Sequence, residues 1–291
     1  MKNVLVTGGA GFVGSNLIKR LKVDYPEAII VSLDNYFTGK QENHVAGVEY
    51  YRGHTMNADT IFSNRTFDTV FHFGEYSRIV QSFDDIKIVT DSILVGTPRI
   101  LELCKEWGAK LIYSASSSKF GNEGKDENLS PYSWAKSKMV ELIKNYGEWF
   151  DLDYEICYFF NVYGPGQITE GSYATVIGIF EKQLRAGEKC TVVTPGTQTR
   201  DFTHVGDVVN GLIKACKRSD KHEWHLRSGV NVSMIDLAAM YGNGYEIIGE
   251  RRGERFTSEE FPSDTNERLG WEPQESLSEW IESVKECANV G

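Results

Sequence analysis

Short apolar runs along the chain alternate with longer stretches in which apolar residues recur every three or four positions. Val4-Leu5-Val6, closed by Thr7-Gly8-Gly9, has the length and β-branched character of a buried strand. After it, Phe12, Val13, Leu17, Ile18 and Leu21 fall on helical spacing. The same pattern predicts strands over 28–33, 48–52, 67–73, 110–114 and 154–159, and helices over 84–107 and 132–149. Strands that alternate with helices of this length make βαβ units, so the fold class is α/β, a doubly wound parallel sheet covered on both faces. Beyond Asn161 the alternation stops, and Tyr163-Gly164-Pro165-Gly166 and Thr194-Pro195-Gly196 separate shorter elements. We therefore expect a sheet domain over 1–161 and a smaller mixed α/β lobe over 162–291, with chain crossings between them.

Composition changes this picture little. The 291 residues carry 41 Asp plus Glu against 31 Lys plus Arg, a net charge of −10, which argues against a general binder of nucleic acid or anionic membranes. The five cysteines (Cys104, Cys157, Cys190, Cys216, Cys287) form no CxxC pair, so neither a disulfide framework nor a zinc site is expected, and a reducing cytoplasm fits best. No apolar run approaches the roughly 18 residues that span a bilayer, and the opening apolar segment is too short for a signal peptide. The expectation is an unprocessed, cytoplasmic protein.

The first turn carries chemistry. Gly8, Gly11 and Gly14 lie between the first strand and the first helix. Glycine suits a chain that must turn sharply, admit a pyrophosphate to its backbone and pack helix on strand, while the helix N-terminus attracts negative charge. Asp34 stands 20 residues after Gly14, at the end of the second strand beside Asn35, where its carboxylate can accept both hydroxyls of an adenosine ribose. A carboxylate there repels a 2′-phosphate, so NAD is expected over NADP and the first domain is a Rossmann-type NAD-binding domain. The expected cofactor contacts are Gly8, Gly11, Phe12, Val13, Gly14, Asp34 and Asn35.

Tyr132 and Lys136 are four residues apart on a helix that opens at Ser130-Pro131, which puts both side chains on one face. An ammonium beside a phenol favours the phenolate and lowers its pKa towards working pH, as proton transfer requires. Ser114-Ala115-Ser116-Ser117-Ser118 follows the fifth strand, so it lies at the carboxyl edge of the sheet, where open α/β folds bind ligands. A serine hydroxyl there can bond the same substrate oxygen as the tyrosine, whereas Ser117 and Ser118 can equally cap the next turn.

With these features the sequence resembles the extended short-chain dehydrogenase/reductases that act on nucleotide sugars. The resemblance spans nearly the whole chain. It rests on 7–14, on Phe71-His72-Phe73-Gly74, on Ser116 five residues before Gly121, on Tyr132 with Lys136, and on Phe160-Asn161-Val162-Tyr163-Gly164-Pro165. In the second half it rests on 200–207, on Arg251-Arg252-Gly253-Glu254 and on 269–273. It implies that Ser116, Tyr132 and Lys136 form the catalytic triad and that Phe73, Gly74, Tyr132 and Lys136 join the cofactor contacts. It also implies that Ser116, Ser117, Asn161, Arg200 and Arg251 bind the nucleotide sugar, a UDP-sugar by preference, and that the protein is a homodimer. The two arginines suit a nucleotide diphosphate in an acidic protein.

Relatives that dehydrate a keto sugar place acids after the catalytic hydroxyl, and sugar-acid decarboxylases place a glutamate two positions after it. Ser117 and Ser118 occupy those positions here and cannot replace a carboxyl group as acid or base. What the resemblance then implies is a nucleotide-sugar 4-epimerase, of UDP-glucose/galactose or N-acetylhexosamine type, that oxidises C4 transiently and returns the hydride. Alternatives are a heptose 6-epimerase, a 4-keto reductase, a UDP-glucuronate decarboxylase, and a binding module without turnover.

The chain departs from the family pattern at Gly53-His54, at Ile93 three residues before Gly96-Thr97, at Phe120, and at Glu75, where small residues are common. Glu75 with Arg78 could line the sugar or form a loop ion pair. His72 and His204 are read as structural histidines, and no His/Asp/Glu spacing supports a metal. Trp134, Met139, Ile143 and Trp149, with Ile93, Leu94, Leu101 and Leu103, could build a subunit contact or pack within one chain.

Overall fold

Apolar residues on both sides of the central strands set the architecture of this computed structural model, which describes residues 1–120, 126–253 and 263–289. The first half contains β1 (Asn3–Thr7), α1 (Phe12–Asp24), β2 (Ile29–Asp34), β3 (Glu49–Arg52), α2 (Ala58–Ile61) and β4 (Thr69–His72). It continues with α3 (Ile86–Val89), α4 (Gly96–Trp107), β5 (Lys110–Ser116), α5 (Pro131–Phe150) and β6 (Tyr154–Phe159). On one face of the strands Leu5, Val31, Val70, Leu111 and Ile156 pack under α4 and α5. Their neighbours Val4, Val6, Ile30, Phe71, Ile112 and Cys157 pack on the other, against Leu17 and Ile18 of α1. A sheet buried on both faces needs this near-continuous apolar sequence.

The second half comprises α6 (Val176–Arg185), β7 (Cys190–Val193), β8 (Thr199–Asp201), α7 (Val205–Cys216), β9 (Glu223–Leu226), β10 (Asn231–Ser233), α8 (Met234–Tyr241), β11 (Tyr245–Ile248), α9 (Thr265–Leu269) and α10 (Leu277–Asn289). A seven-stranded parallel sheet runs in the order β3-β2-β1-β4-β5-β6-β9. Its last strand comes from the second half of the chain, and Val208, Leu212, Trp224 and Trp271 complete the core on the α1 face. The remaining lobe has its own core, with Phe180, Val192, Phe202, Leu237, Tyr241 and Ile281 buried around β7, β8, α8 and α10.

Most elements fall where the pattern places them. The helical stretch predicted over 84–107 is a composite, α3 and α4 joined by a π-helical turn over Thr90–Val95. Strand β5 runs two residues further than predicted because Ala115 and Ser116 find partners in Tyr158 and Phe159 of β6. Met139, Ile143, Ile93, Leu101 and Leu103 are buried in the chain's own core, so they are not available for a subunit contact, and Leu94, half-buried, packs against that core. Trp134 and Trp149 are exposed on α5.

Candidate active site

The strand order reverses between β1 and β4, and ligands of open α/β sheets bind beyond the carboxyl ends of strands at such a point. A cavity of about 410 Å³ opens there, between the sheet edge and the second lobe. Gly8, Gly11, Phe12, Val13 and Gly14 form one wall. Gly8 has φ +72°, and a Cβ on it would come within 2.9 Å of the Phe73 carbonyl and the Gly74 amide. A Cβ on Gly14 would collide with the Gly8 carbonyl oxygen. No side chain caps the N-terminus of α1 at Gly11, so its first amides remain for an anion.

Asp34 ends β2 at the same wall. Its carboxylate accepts from the amides of Ala10 at 2.9 Å and Tyr36 at 2.8 Å, which ties the second strand to the glycine turn. Burial pushes its pKa up against these amide bonds. A carboxylate has about four lone-pair positions, so capacity remains for two ribose hydroxyls. Asn35, Phe73 and Gly74 also border the cavity. The last two are held by Thr7, whose hydroxyl accepts from the Phe73 amide at 3.1 Å and the Gly74 amide at 2.9 Å. The residues present fit an NAD: an uncapped helix end for its phosphates, a cradle without Cβ atoms, and a carboxylate at the second strand.

The opposite wall holds the expected catalytic residues. Ser116 ends β5, and its hydroxyl accepts from the Ser118 amide at 3.2 Å. Helix α5 starts cleanly because Ser130 caps it, accepting from the Ser133 amide at 3.1 Å, with Pro131 in the first turn. Tyr132 and Lys136 belong to the buried stripe of that helix, together with Met139, Val140 and Ile143, so core packing fixes both. Ser116, Ser117, Ser118, Tyr132 and Lys136 all face the cavity, as does Asn161.

The electrostatics differ from the expectation in two ways. The Tyr132 phenol is raised overall rather than lowered. Burial pushes that phenol up to about 12, Ser116 lowers it through a hydrogen bond, the Glu75 charge raises it, and the Arg78 charge lowers it. The second difference explains the first. Glu75 does not pair with Arg78; it forms an ion pair with Lys136, and both side chains are almost fully buried. Arg78 instead donates from Nε to the Tyr173 carbonyl at 2.8 Å, clasping the second lobe over the cavity. Tyr76 and Tyr173 reinforce that clasp, each donating to Asp85 at 2.7 Å. The unusual glutamate after Phe73-Gly74 was the available sequence signal for the first pairing; nothing local announced the second.

Arg200 and Arg251 do not border the cavity. Arg200 lies in β8 beside Asp201, whose carbonyl accepts from the Asn161 side chain at 2.7 Å. Arg251 is exposed. Gly121 and Glu254 of the family motifs lie outside the described residues. His72 is buried between Thr7 at 2.6 Å and Thr97 at 3.0 Å, and burial pushes its imidazole down to about 4, so it is a neutral structural linker. His204 caps α7 by accepting from the Gly206 amide. No cluster of metal ligands occurs among the described residues, nor is any helix there long and apolar enough to cross a membrane.

Comparison with known proteins agrees with this geometry. The chain is 28% identical to UDP-glucuronic acid decarboxylase 3 of Arabidopsis thaliana, covering 97% of this chain and 88% of that one. It is 30% identical to UDP-glucose 4-epimerase of Mycolicibacterium smegmatis, covering 97% of each. Among solved structures, UDP-glucose 4-epimerase of Thermotoga maritima with UDP-glucose superposes with a TM-score of 0.89 at 26% identity, over 98% of this chain and 97% of that one. The model of the NAD dependent epimerase/dehydratase family matches residues 4–227, from the first strand of the sheet past its last. That span takes in the glycine turn, the serine run and the tyrosine–lysine helix together, and the chain belongs to this NAD-dependent family of enzymes.

Proposed function

We propose that the protein is a nucleotide-sugar 4-epimerase that oxidises C4 transiently and reduces it again from the other face. The observation that carries this reading is the acid inventory of the cavity: among the described lining residues the carboxylates are Asp34, at the cofactor wall, and Glu75, paired with Lys136. Ser117 and Ser118 follow the catalytic hydroxyl, so no free carboxyl group stands there to take the C5 proton or expel water. Tyr132 takes the C4 hydroxyl proton, and Ser116 bonds the same oxygen. Lys136 holds a positive charge beside them, which favours the deprotonated oxygen. Bound NAD would accept the C4 hydride and give it back. Asn161, with Arg200 and Arg251 further out, is assigned to the nucleotide diphosphate, and the exposed Trp134 and Trp149 to a homodimer contact through α5.

A second reading, decarboxylation of a UDP-hexuronate, is favoured by the similarity to UDP-glucuronic acid decarboxylase. Incubation with UDP-glucose, UDP-N-acetylglucosamine and UDP-glucuronate without added NAD, followed by proton NMR, separates the two. Interconversion of C4 epimers without net NADH supports the proposal. A pentose product with CO₂, or a product that has lost water, overturns it.

A further inference from the structure

Lys136 sits in an unusual setting. The ammonium donates to the Glu75 carboxylate and to the Ser114 carbonyl, and it lies 4.3 Å from the centre of the Tyr113 ring. Glu75 is itself anchored. Its other oxygen accepts from the Thr97 hydroxyl and from the Tyr113 hydroxyl, the latter at 3.1 Å, and His72 Nε2 stands 3.7 Å away. The carboxylate is therefore fixed by α4 and β5 before it meets α5, and it is 2% exposed.

An ammonium has three donors. Two are taken by Glu75 and the Ser114 carbonyl, which leaves one, and Lys136 borders the cavity. Without a carboxylate, a lysine buried this deeply would give up its proton, because desolvation penalises the charged form. Burial does push Lys136 down, and Glu75 is the charge that opposes it. The other titratable groups around the ammonium cannot take over: His72 is neutral, Tyr113 is held protonated by burial, Tyr132 is a phenol on the same helix, and Arg78 is a second cation.

We infer that Glu75 is a positioning residue that holds Lys136 protonated and aims its remaining donor into the cleft. This rests on the catalytic role proposed above for Lys136, yet it can be measured without a sugar. In NAD-loaded protein carrying ¹³Cε-lysine, the Lys136 resonance is assigned by its loss in Lys136→Arg and followed against pH. Since an opposite charge within about 4–6 Å moves a pKa by about 1–3 pH units, Glu75→Gln should make Lys136 lose its proton at a pH lower by that amount. Glu75→Asp, which keeps the charge, should recover most of the difference. In turnover assays the alkaline limb of kcat should move down by the same interval in Glu75→Gln, while KM for the nucleotide sugar changes little. A Lys136 titration in Glu75→Gln within about 0.3 pH units of the wild type would overturn the inference, as would an Asp variant no better than Gln. A shifted titration in a protein that catalyses no epimerisation would leave Glu75 in this role and remove the 4-epimerase reading instead.

Discussion

Acidification should destabilise the sheet through His72, a buried imidazole that joins β1 to α4. Its pKa falls from 6.5 in the unfolded chain to about 4 in the fold because burial penalises the cation. The unfolded state therefore binds the extra proton between those values. Stability from this group is fully present above about pH 6.5, is lost as the pH falls, and levels off below about pH 4. Going from pH 7 to pH 5 should cost about 2 kcal/mol from this one residue. His225, pushed down to about 4 chiefly by burial, acts in the same direction, so the wild-type loss alone does not isolate His72. The comparison that does is urea denaturation of wild type and His72→Asn at pH 7 and pH 5. The substitution lowers stability at both values by leaving Thr7 and Thr97 imperfectly paired, but it removes one titrating group. Its additional loss at pH 5 should be smaller than that of the wild type by about 2 kcal/mol. Equal losses in the two proteins would refute a neutral, buried His72.

Other perturbations probe the rest of the site. Asp201 accepts from the amides of Ser228 and Gly229 at 2.9 and 2.8 Å and from Arg227 at 3.2 Å, and is 1% exposed. Asp201→Asn turns an acceptor into a donor against these donors and should cost about 3 kcal/mol in urea melts. It should also raise KM, since the Asn161 amide rests on the Asp201 carbonyl. Gly14→Ala drives a methyl group into the Gly8 carbonyl, so purified protein should carry much less NAD; full occupancy would mean the turn adapts. Tyr132→Phe should lower kcat by about 10²–10⁴-fold while NAD content stays the same, and undiminished turnover would remove Tyr132 as the base.

Much of the scaffold is written locally. The strands β1, β2, β4, β5 and β6 appear as short, largely apolar runs because a sheet covered on both faces demands them, whereas the edge strand β3, Glu49-Tyr50-Tyr51-Arg52, is only half-buried. The glycine turn appears because Gly8 and Gly14 face backbone at distances no side chain tolerates. Tyr132 and Lys136 are legible as a pair because four residues make about one helical turn. β9 is different. Its four residues alternate rather than run apolar, and its place beside β6 was chosen by packing with α7 and α9. The partners of the charged groups were also out of reach. Glu75 and Lys136 are separated by 61 residues, and Arg78 and Tyr173 by 95, so no spacing rule connects them. Periodicity and turn chemistry act between neighbours along the chain and can be read from its order. Burial and charge act between neighbours in space, so the partner of Lys136, the acidity of Tyr132 and the placement of Arg200 outside the cavity lining were settled only when the chain closed on itself.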